Sequence, residues 1–349
     1  MDKPINQEET PLLSVVVLAY NIEKELLDRC ISSVVQQTYT HIEIILINNA
    51  SKDDTGKYCD EWSLKDQRIH VYHNQQGQYA RELLEHTTGE YIHILDHDDW
   101  IAPNMYENMM SALVSTNSDI ARCEYCFAYP DGRIVQRNVT HHTDEHEIMG
   151  RKEAVLLLLE NKKWQGYFWV NIYKKQIWDH FEIPKIKAFG DVSTVHTLYH
   201  RASQIVYLHD VFYYYYQRPG SEINQIDREG KKYRDYLRSN SIYLRFLFAK
   251  QYPEYQSILP LLKKEATADS LFSLWDIIDY PHIFPENAYG DQVERLKQFS
   301  FSLRDGKYFV LNFDLFLLKI IPRCYKFFYK LVYRNLRRIP VFKNFGLKK

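Results

Sequence analysis

The chain has 349 residues, of which 45% are apolar and 26% charged. That composition excludes a disordered or collagen-like chain and fits one large or two modest globular domains. The net charge of −1 conceals a division: residues 307–349 hold eleven Lys and Arg against one acid, Asp314, a net +10, whereas residues 1–306 hold 33 basic and 44 acidic side chains, a net −11. Ser14–Ala19 (SVVVLA) is a continuous β-branched run, the pattern of a strand buried on both faces. After Asn21 the period becomes helical, with Leu26, Leu27, Cys30, Ile31, Val34 and Val35 on one face and Glu23 and Glu25 in the first turn. Ile42–Ile47 is a second buried strand, and Ser51 to Asp54 reads as a helix start. Ile69–Tyr72 is a third strand, Ala80–Thr87 a helix stopped by Gly89, and Tyr91–Leu95 a fourth strand that runs into Asp96-His97-Asp98-Asp99. Further on, Asp119–Tyr129 and Arg133–Arg137 flank the turn Pro130-Asp131-Gly132 as a hairpin, and Arg151–Asn161 is helical. Ile205–Leu208 and Val211–Tyr216 read as strands, and from Asp227 the pattern is helical.

Strands alternating with helices predict a mostly parallel sheet with helices on both faces, followed by a helical C-terminal region. In such sheets ligands bind at the carboxyl ends of the strands. Those ends are Tyr20-Asn21, Asn48-Asn49 and Asp96 to Asp99, and all are polar. Three carboxylates within four residues repel one another unless a cation or solvent compensates them. At a strand end they form a hard-oxygen site suited to Mg²⁺ or Mn²⁺ shared with substrate phosphates. The alternative is an acidic surface turn that caps the helix after Pro103. Neither GxGxxG nor GxxxxGK[ST] is present, so a phosphate ligand must be held by metal and cations, with Arg81 and Arg218 as candidates.

Several segments in order resemble glycosyltransferase family 2. Ser14–Asn21 (SVVVLAYN) is similar to the family's opening, Cys30–Thr38 to its first-helix signature, Ile44–Asp53 to its "VDDGSTD" segment, and Thr88–Trp100 (TGEYIHILDHDDW) to its DxD strand. Gly77–Arg81, Trp169–Lys175, Phe189-Gly190-Asp191 and Tyr216–Ser221 resemble further segments, so the likeness covers roughly residues 12–225. It implies the nucleotide-sugar-binding, Rossmann-like GT-A fold in residues 1–225, with a donor half over about 12–118 and an acceptor half over about 119–225. A helical region, 226–306, and a basic amphipathic tail, 307–349, follow.

The resemblance also implies roles. Ala19, Tyr20 and Asn21 would line the donor nucleotide, Asn49 would face the uracil edge, and Asp96 would approach the ribose and the metal. Asp98 would ligate Mn²⁺ or Mg²⁺ between the phosphates. Asp191 would be the catalytic base. Arg81, Arg218 and Ser221 would hold the diphosphate, and His97, at the variable middle position of the motif, would line the donor without a catalytic role. The expected reaction is metal-dependent, inverting transfer of a hexosyl or N-acetylhexosaminyl group. Its donor is a nucleoside-diphosphate sugar of the UDP type, and its acceptor a hydroxyl of a saccharide or lipid-linked saccharide in cell-surface polysaccharide (capsule-type) synthesis. Three departures stand out: Asn48 and Asn49 replace the usual two Asp, Gly190 replaces a Glu, and Trp169-Val170-Asn171 replaces "WNK". The first two favour an alternative, a catalytically inactive GT-A module that binds nucleotide sugars or serves interaction, against which the intact Asp96, Asp98 and Asp191 stand; the third bears on the acceptor. A sugar nucleotidyltransferase is disfavoured because Leu18–Lys24 lacks a Gly- and Arg/Lys-rich loop.

Lys319, Arg323, Lys326, Lys330, Arg334 and Arg337 are spaced 4, 3, 4, 4 and 3 apart, one helical stripe beside Leu317, Leu318, Ile321, Phe327, Phe328 and Leu331. Such a helix suits an anionic membrane surface. Docking on the acidic body is the competing reading. A nucleic-acid partner is not expected, because the body has no recognition motif. The first residues lack an apolar signal region and no run reaches the ~18 apolar residues of a membrane span, so the expected location is the cytoplasm, peripheral to the inner face of the membrane. Five scattered cysteines do not make a disulfide framework, and the Cys123/Cys126 pair is expected to be buried core. His141, His142 and His146, with Asp144 and Glu145, read as a solvated loop rather than a metal cluster.

Overall fold

A computed structural model describes residues 10–75, 84–136, 146–181, 189–218, 227–299, 309–321 and 324–333. The chain divides into two compact units, Met1–Ile186 with Gly190–Gln225, and Lys187–Phe189 with Ile226–Lys349.

The first unit is built on one sheet. In chain order its elements are β1 (Leu13–Ala19), α1 (Lys24–Val35), β2 (Ile42–Asn49), α2 (Thr55–Ser63), β3 (Ile69–Asn74), β4 (Tyr91–Asp96), β5 (Trp100–Ile101), α3 (Met105–Thr116), β6 (Ile120–Ala128), β7 (Ile134–Gln136), β8 (Glu147–Gly150), α4 (Arg151–Glu160), β9 (Asn171–Lys174), α5 (Val195–Arg201) and β10 (Gln204–Tyr216). The strand order is β3-β2-β1-β4-β9-β6-β10-β5, with β7 on β6 and β8 on β10. β3, β2, β1 and β4 are parallel; β1, β2 and β4, buried on both faces, are mostly apolar runs, whereas the edge strand β3 is partly exposed. Val15 and Val17 of β1 join a core with Leu27 and Ile31 of α1 and Met109 and Leu113 of α3, while Val16 and Ile45 are buried on the opposite face. Cys123 and Cys126 on β6 are buried.

The pattern reading missed three short strands and split one strand in two. β5, β8 and β9 have two to four residues, too few to show a period. β9 runs antiparallel between β4 and β6 and so interrupts the parallel order. The two strands expected at Ile205–Leu208 and Val211–Tyr216 are one strand, β10, whose register against β6 shifts between Tyr207 and Val211. Gly89 owes its identity to a close approach rather than to ending a helix. A Cβ there would stand 2.6 Å from the Leu12 carbonyl and 2.6 Å from Ser14 Oγ. Gly132 takes a φ of 84° in the expected hairpin turn.

The second unit is helical: α6 (Arg228–Gln251), α7 (Leu259–Asp279), α8 (Ala288–Lys297), α9 (Phe309–Ile320) and α10 (Tyr325–Phe328), which passes into a π-helical turn, Tyr329–Tyr333. Asp227 caps α6, accepting from the Gly230 amide at 2.7 Å. Asp314 of α9 is buried and accepts from Trp275 Nε1 at 2.7 Å and from the Tyr325 hydroxyl at 2.6 Å. Among the described residues no helix is long and apolar enough to cross a membrane.

Candidate active site

The acidic turn stands where β4 ends. Asp96 is its last strand residue, and the Asp99 amide closes the turn on the Asp96 carbonyl at 3.2 Å. The carboxylates, alike in sequence, have different surroundings. Asp99 is fully buried and accepts from the Tyr213 hydroxyl at 2.6 Å and the Tyr216 amide at 2.7 Å, both on β10. Burial, then the neighbouring Asp98 and Asp96 charges, push the Asp99 carboxyl well above the usual range against the pull of those two bonds. Asp98 is half-buried, and Oδ2 lies 3.2 Å from Arg218 Nε. Asp96 is exposed to solvent. Desolvation first, then Asp98 and Asp191, push its carboxyl up to about 7. His97 does not join the carboxylates. Its Nδ1 donates to the Leu18 carbonyl at 2.8 Å, which ties the turn to the end of β1, and burial holds the imidazole below its usual pKa.

A fourth carboxylate approaches from α5. The Thr194 and Val195 amides each donate to the Asp191 carbonyl at 2.9 Å, and Oδ1 accepts from the Val192 amide at 2.7 Å. Desolvation pushes the Asp191 carboxyl up to about 6, despite the Val192 bond. Asp191 is among the charges that raise Asp96, so the fold brings together two carboxylates nearly a hundred residues apart. A Cβ at Gly190 would meet nothing within 4 Å, so the position of the missing Glu is open space.

The ends of β1 and β2 are neutral. Ala19 is buried and Tyr20 is exposed. Asn21 adopts a φ of 43°; its amide donates to Ser51 Oγ at 3.1 Å and its Oδ1 accepts from the Lys52 amide at 2.9 Å. That pair clamps the loop after β1 to the loop after β2. Asn48 Oδ1 accepts from the Ser51 amide at 3.2 Å, and its Nδ2 lies 3.2 Å from His73 Nδ1. Asn49 Oδ1 accepts from Asn74 Nδ2 at 3.4 Å. Arg81 and Ser221 lie outside the described residues, as do His141, His142, Asp144, Glu145, Arg323, Arg334 and Arg337.

Two features escaped the sequence reading. The Tyr216 ring lies 4.2 Å from the Arg29 guanidinium, whose other neighbour is the Trp100 ring at 3.9 Å. Asp99, read with Asp96 and Asp98 as one cluster, is an internal anchor. The two-residue alternation of Tyr213 and Tyr215 was a usable signal for the inward face of β10, but nothing in it names Asp99.

Residues 14–172 match the family profile described as Glycosyl transferase family 2. The glycosyltransferase GlyG of Streptococcus pneumoniae serotype 4 is 30% identical over 220 residues, 60% of this chain and 72% of GlyG. YibD of Escherichia coli, a glycosyltransferase by name, is 25% identical over 271 residues, 75% of this chain and 78% of its own. Among solved structures, S. aureus TarS 1–349 in complex with UDP-GlcNAc superposes with a TM-score of 0.62 at 16% identity, over 91% of each chain. The mannosyltransferase PcManGT from Pyrobaculum calidifontis, in complex with GDP-Man and Mn²⁺, gives 0.50 at 17%, over 97% of this chain and 88% of that one. These two likenesses concern the fold. Together with the acidic turn at the end of β4, the GlyG relationship establishes that the chain is a glycosyltransferase and belongs to family 2.

Proposed function

We propose that the protein is a metal-dependent, inverting transferase that moves a sugar from a UDP-type donor to a hydroxyl of a saccharide or lipid-linked saccharide in surface-polysaccharide synthesis. The observation that carries this reading is the crowding of carboxylates at the end of β4: burial first, then the charges of Asp98 and Asp191, push the Asp96 carboxyl up to about 7, while Asp98 lies beside Arg218. A divalent cation would relieve that repulsion. Among the described residues no three His, Cys, Asp or Glu form a metal cage. Mg²⁺ and Mn²⁺ are commonly bound by one or two carboxylates, with substrate phosphate oxygens completing the shell. Asp98, with Asp96, would hold the ion, and bound there it would act as a Lewis acid on the leaving diphosphate. The Mn²⁺ and nucleotide-sugar complexes of PcManGT and TarS support the assignment.

The protein's own groups account for the remaining chemistry. Arg218, beside Asp98, supplies a cation to the diphosphate. Tyr20 and Asn49 face the base, and Arg81 and Ser221 complete the donor site. Asp191 takes the proton of the acceptor hydroxyl; its oxygen attacks the anomeric carbon from the face opposite the diphosphate, and the carbon–oxygen bond breaks with its electron pair leaving on the phosphate. A desolvated carboxylate with a pKa near 6 is a stronger base than an exposed Asp and is still ionised at neutral pH.

In this reading residues 1–225 form the catalytic domain, 226–306 a helical region, and 307–349 a tail that holds the enzyme at the anionic inner face of the membrane. Tyr325 and Tyr329 are buried in the helical unit, but Phe327 and Leu331, each next to a lysine (Lys326 and Lys330), are 70% and 61% exposed. The test is donor hydrolysis across a panel of nucleotide sugars with Mn²⁺. Metal stabilisation of several kcal/mol corresponds to roughly 10³-fold in rate, so Asp98→Asn and chelation should each cost about that much. Undiminished hydrolysis in chelator would sink the metal-dependent reading; no hydrolysis or transfer with any donor would favour the inactive module.

A further inference from the structure

The acidic turn is held by a cation that the donor site does not use. Arg29 lies on α1, and its guanidinium is sandwiched between the rings of Trp100, at 3.9 Å, and Tyr216, at 4.2 Å. Trp100 is itself stacked on Tyr214 at 5.2 Å, with 5° between the planes. From this slot Arg29 Nη2 donates to the main-chain carbonyl of Asp98 at 3.0 Å. One residue later, the buried Asp99 carboxylate is fixed to β10 through Tyr213 and Tyr216. The Asp98 backbone is therefore gripped from α1 and anchored through the next residue to β10, while its carboxylate remains beside Arg218.

Packing alone does not explain an arginine in this slot. Burial lowers the Arg29 pKa, and Nε is buried without a hydrogen-bond partner among the described residues. A Leu or Met would fill the space between two rings without that desolvation cost. A planar guanidinium can stack on two rings and donate in its own plane at once, which a Lys ammonium cannot. Arg29 also places a positive charge near the Asp99 carboxylate.

We infer that Arg29 is a positioning residue for the metal–diphosphate site: it fixes the direction of the Asp98 carboxylate through the Asp98 carbonyl and offsets the repulsion within the turn. This rests on the proposed role of Asp98 as a metal ligand. Residues that orient a metal ligand typically change metal affinity by about 10–100-fold when removed.

The test is Mn²⁺ binding, by calorimetry on the full chain with UDP present, below the thermal transition of every variant. Wild type and Asp98→Asn come first. If wild type shows no binding that depends on Asp98, the proposed function fails and not the role of Arg29. Given that binding, Arg29→Gln should weaken Mn²⁺ by about 10–100-fold. Arg29→Lys, which keeps the charge but not the fork, should recover only part of it. Saturating Mn²⁺ should then restore most of the transfer rate of Arg29→Lys, which a general loss of structure would not allow. If Arg29→Gln does not fold, Arg29→Lys decides alone. Folded Arg29 variants that bind Mn²⁺ within twofold of wild type would overturn the inference, whatever their thermal stability.

Discussion

Like charges are concentrated in two regions of this protein, the turn at Asp96–Asp99 and the tail at 307–349, and each region buries its odd opposite charge among aromatic rings. In the turn the odd charge is Arg29, between Trp100 and Tyr216. In the tail it is Asp314, bonded to Trp275 and Tyr325. The outcomes differ because the backbones differ. A tight turn at a strand end crowds its carboxylates but gives each its own surroundings, with Asp99 fixed to β10 and Asp98 beside Arg218. In the tail the single helical stripe read from the sequence is divided: Lys319 ends α9 and donates to the Phe299 carbonyl, whereas Lys326 and Lys330 stand on α10 and its π-helical turn, where exposed cations suit a surface. The comparison teaches that a charge run acquires its meaning from the element that presents it, and that the minority charge serves to hold that element in place.

The largest expected effect lies on the turn side. Asp191→Asn keeps the shape of the proposed base but cannot take a proton, so transfer should fall by about 10²–10⁴. Binding of UDP with Mn²⁺, read by calorimetry, should stay near wild type. In the wild-type enzyme kcat/KM should decline below about pH 6 as Asp191 is protonated. A variant that transfers at the wild-type rate would place the base elsewhere.

On the tail side, each Lys beside an anionic bilayer contributes ~1 kcal/mol. Lys326→Gln with Lys330→Gln should therefore weaken binding to anionic vesicles by roughly 30-fold at low salt. Phe327→Ser should weaken it further, and donor hydrolysis should not change. Truncation at 307 is the poorer experiment, because Leu315, Leu318, Tyr325 and Tyr329 are buried in the helical unit. Co-sedimentation that does not respond to these substitutions or to salt would break the comparison at its second member.

Asp314→Asn removes the odd charge of the tail. One of its two partners, Trp275 Nε1 or the Tyr325 hydroxyl, loses a charge-assisted bond, at a cost of about 1 kcal/mol. Thermal unfolding of the helical unit should shift down, with Mn²⁺ affinity unchanged. An equal loss of Mn²⁺ affinity would show that the two regions are not separable.

A further effect is on stability against pH. The folded, metal-free chain keeps protons on Asp191 up to about 6 and on Asp96 up to about 7, whereas both groups ionise near 3.8 when unfolded. Over that window the folded state binds more protons, so stability falls as pH rises. Urea midpoints measured across it should decline, and Asp191→Asn should remove the part that ends near pH 6. A rising midpoint would mean that these carboxylates are compensated.

The strands around the site were legible because a strand buried on both faces needs an unbroken apolar run, a requirement met residue by residue. The polar residues that follow β1, β2 and β4 were legible for the same reason, since they are where those runs stop. What only the tertiary structure decided is which of three adjacent carboxylates faces outward. The sequence shows Asp96, Asp98 and Asp99 as equals. Asp99 becomes an internal anchor because β10 brings Tyr213 and the Tyr216 amide to it, and Asp98 is left to Arg218 because Arg29 of α1 holds its carbonyl. In the tail, periodicity marked Phe327, Phe328 and Leu331 as one apolar group. Docking through Tyr325 and Tyr329 half-buries Phe328 and leaves Phe327 and Leu331 outside. Apolar periodicity is a property of neighbours along the chain. Hydrogen bonds, ring stacking and the desolvation of a carboxylate depend on residues that the chain brings together only when it folds.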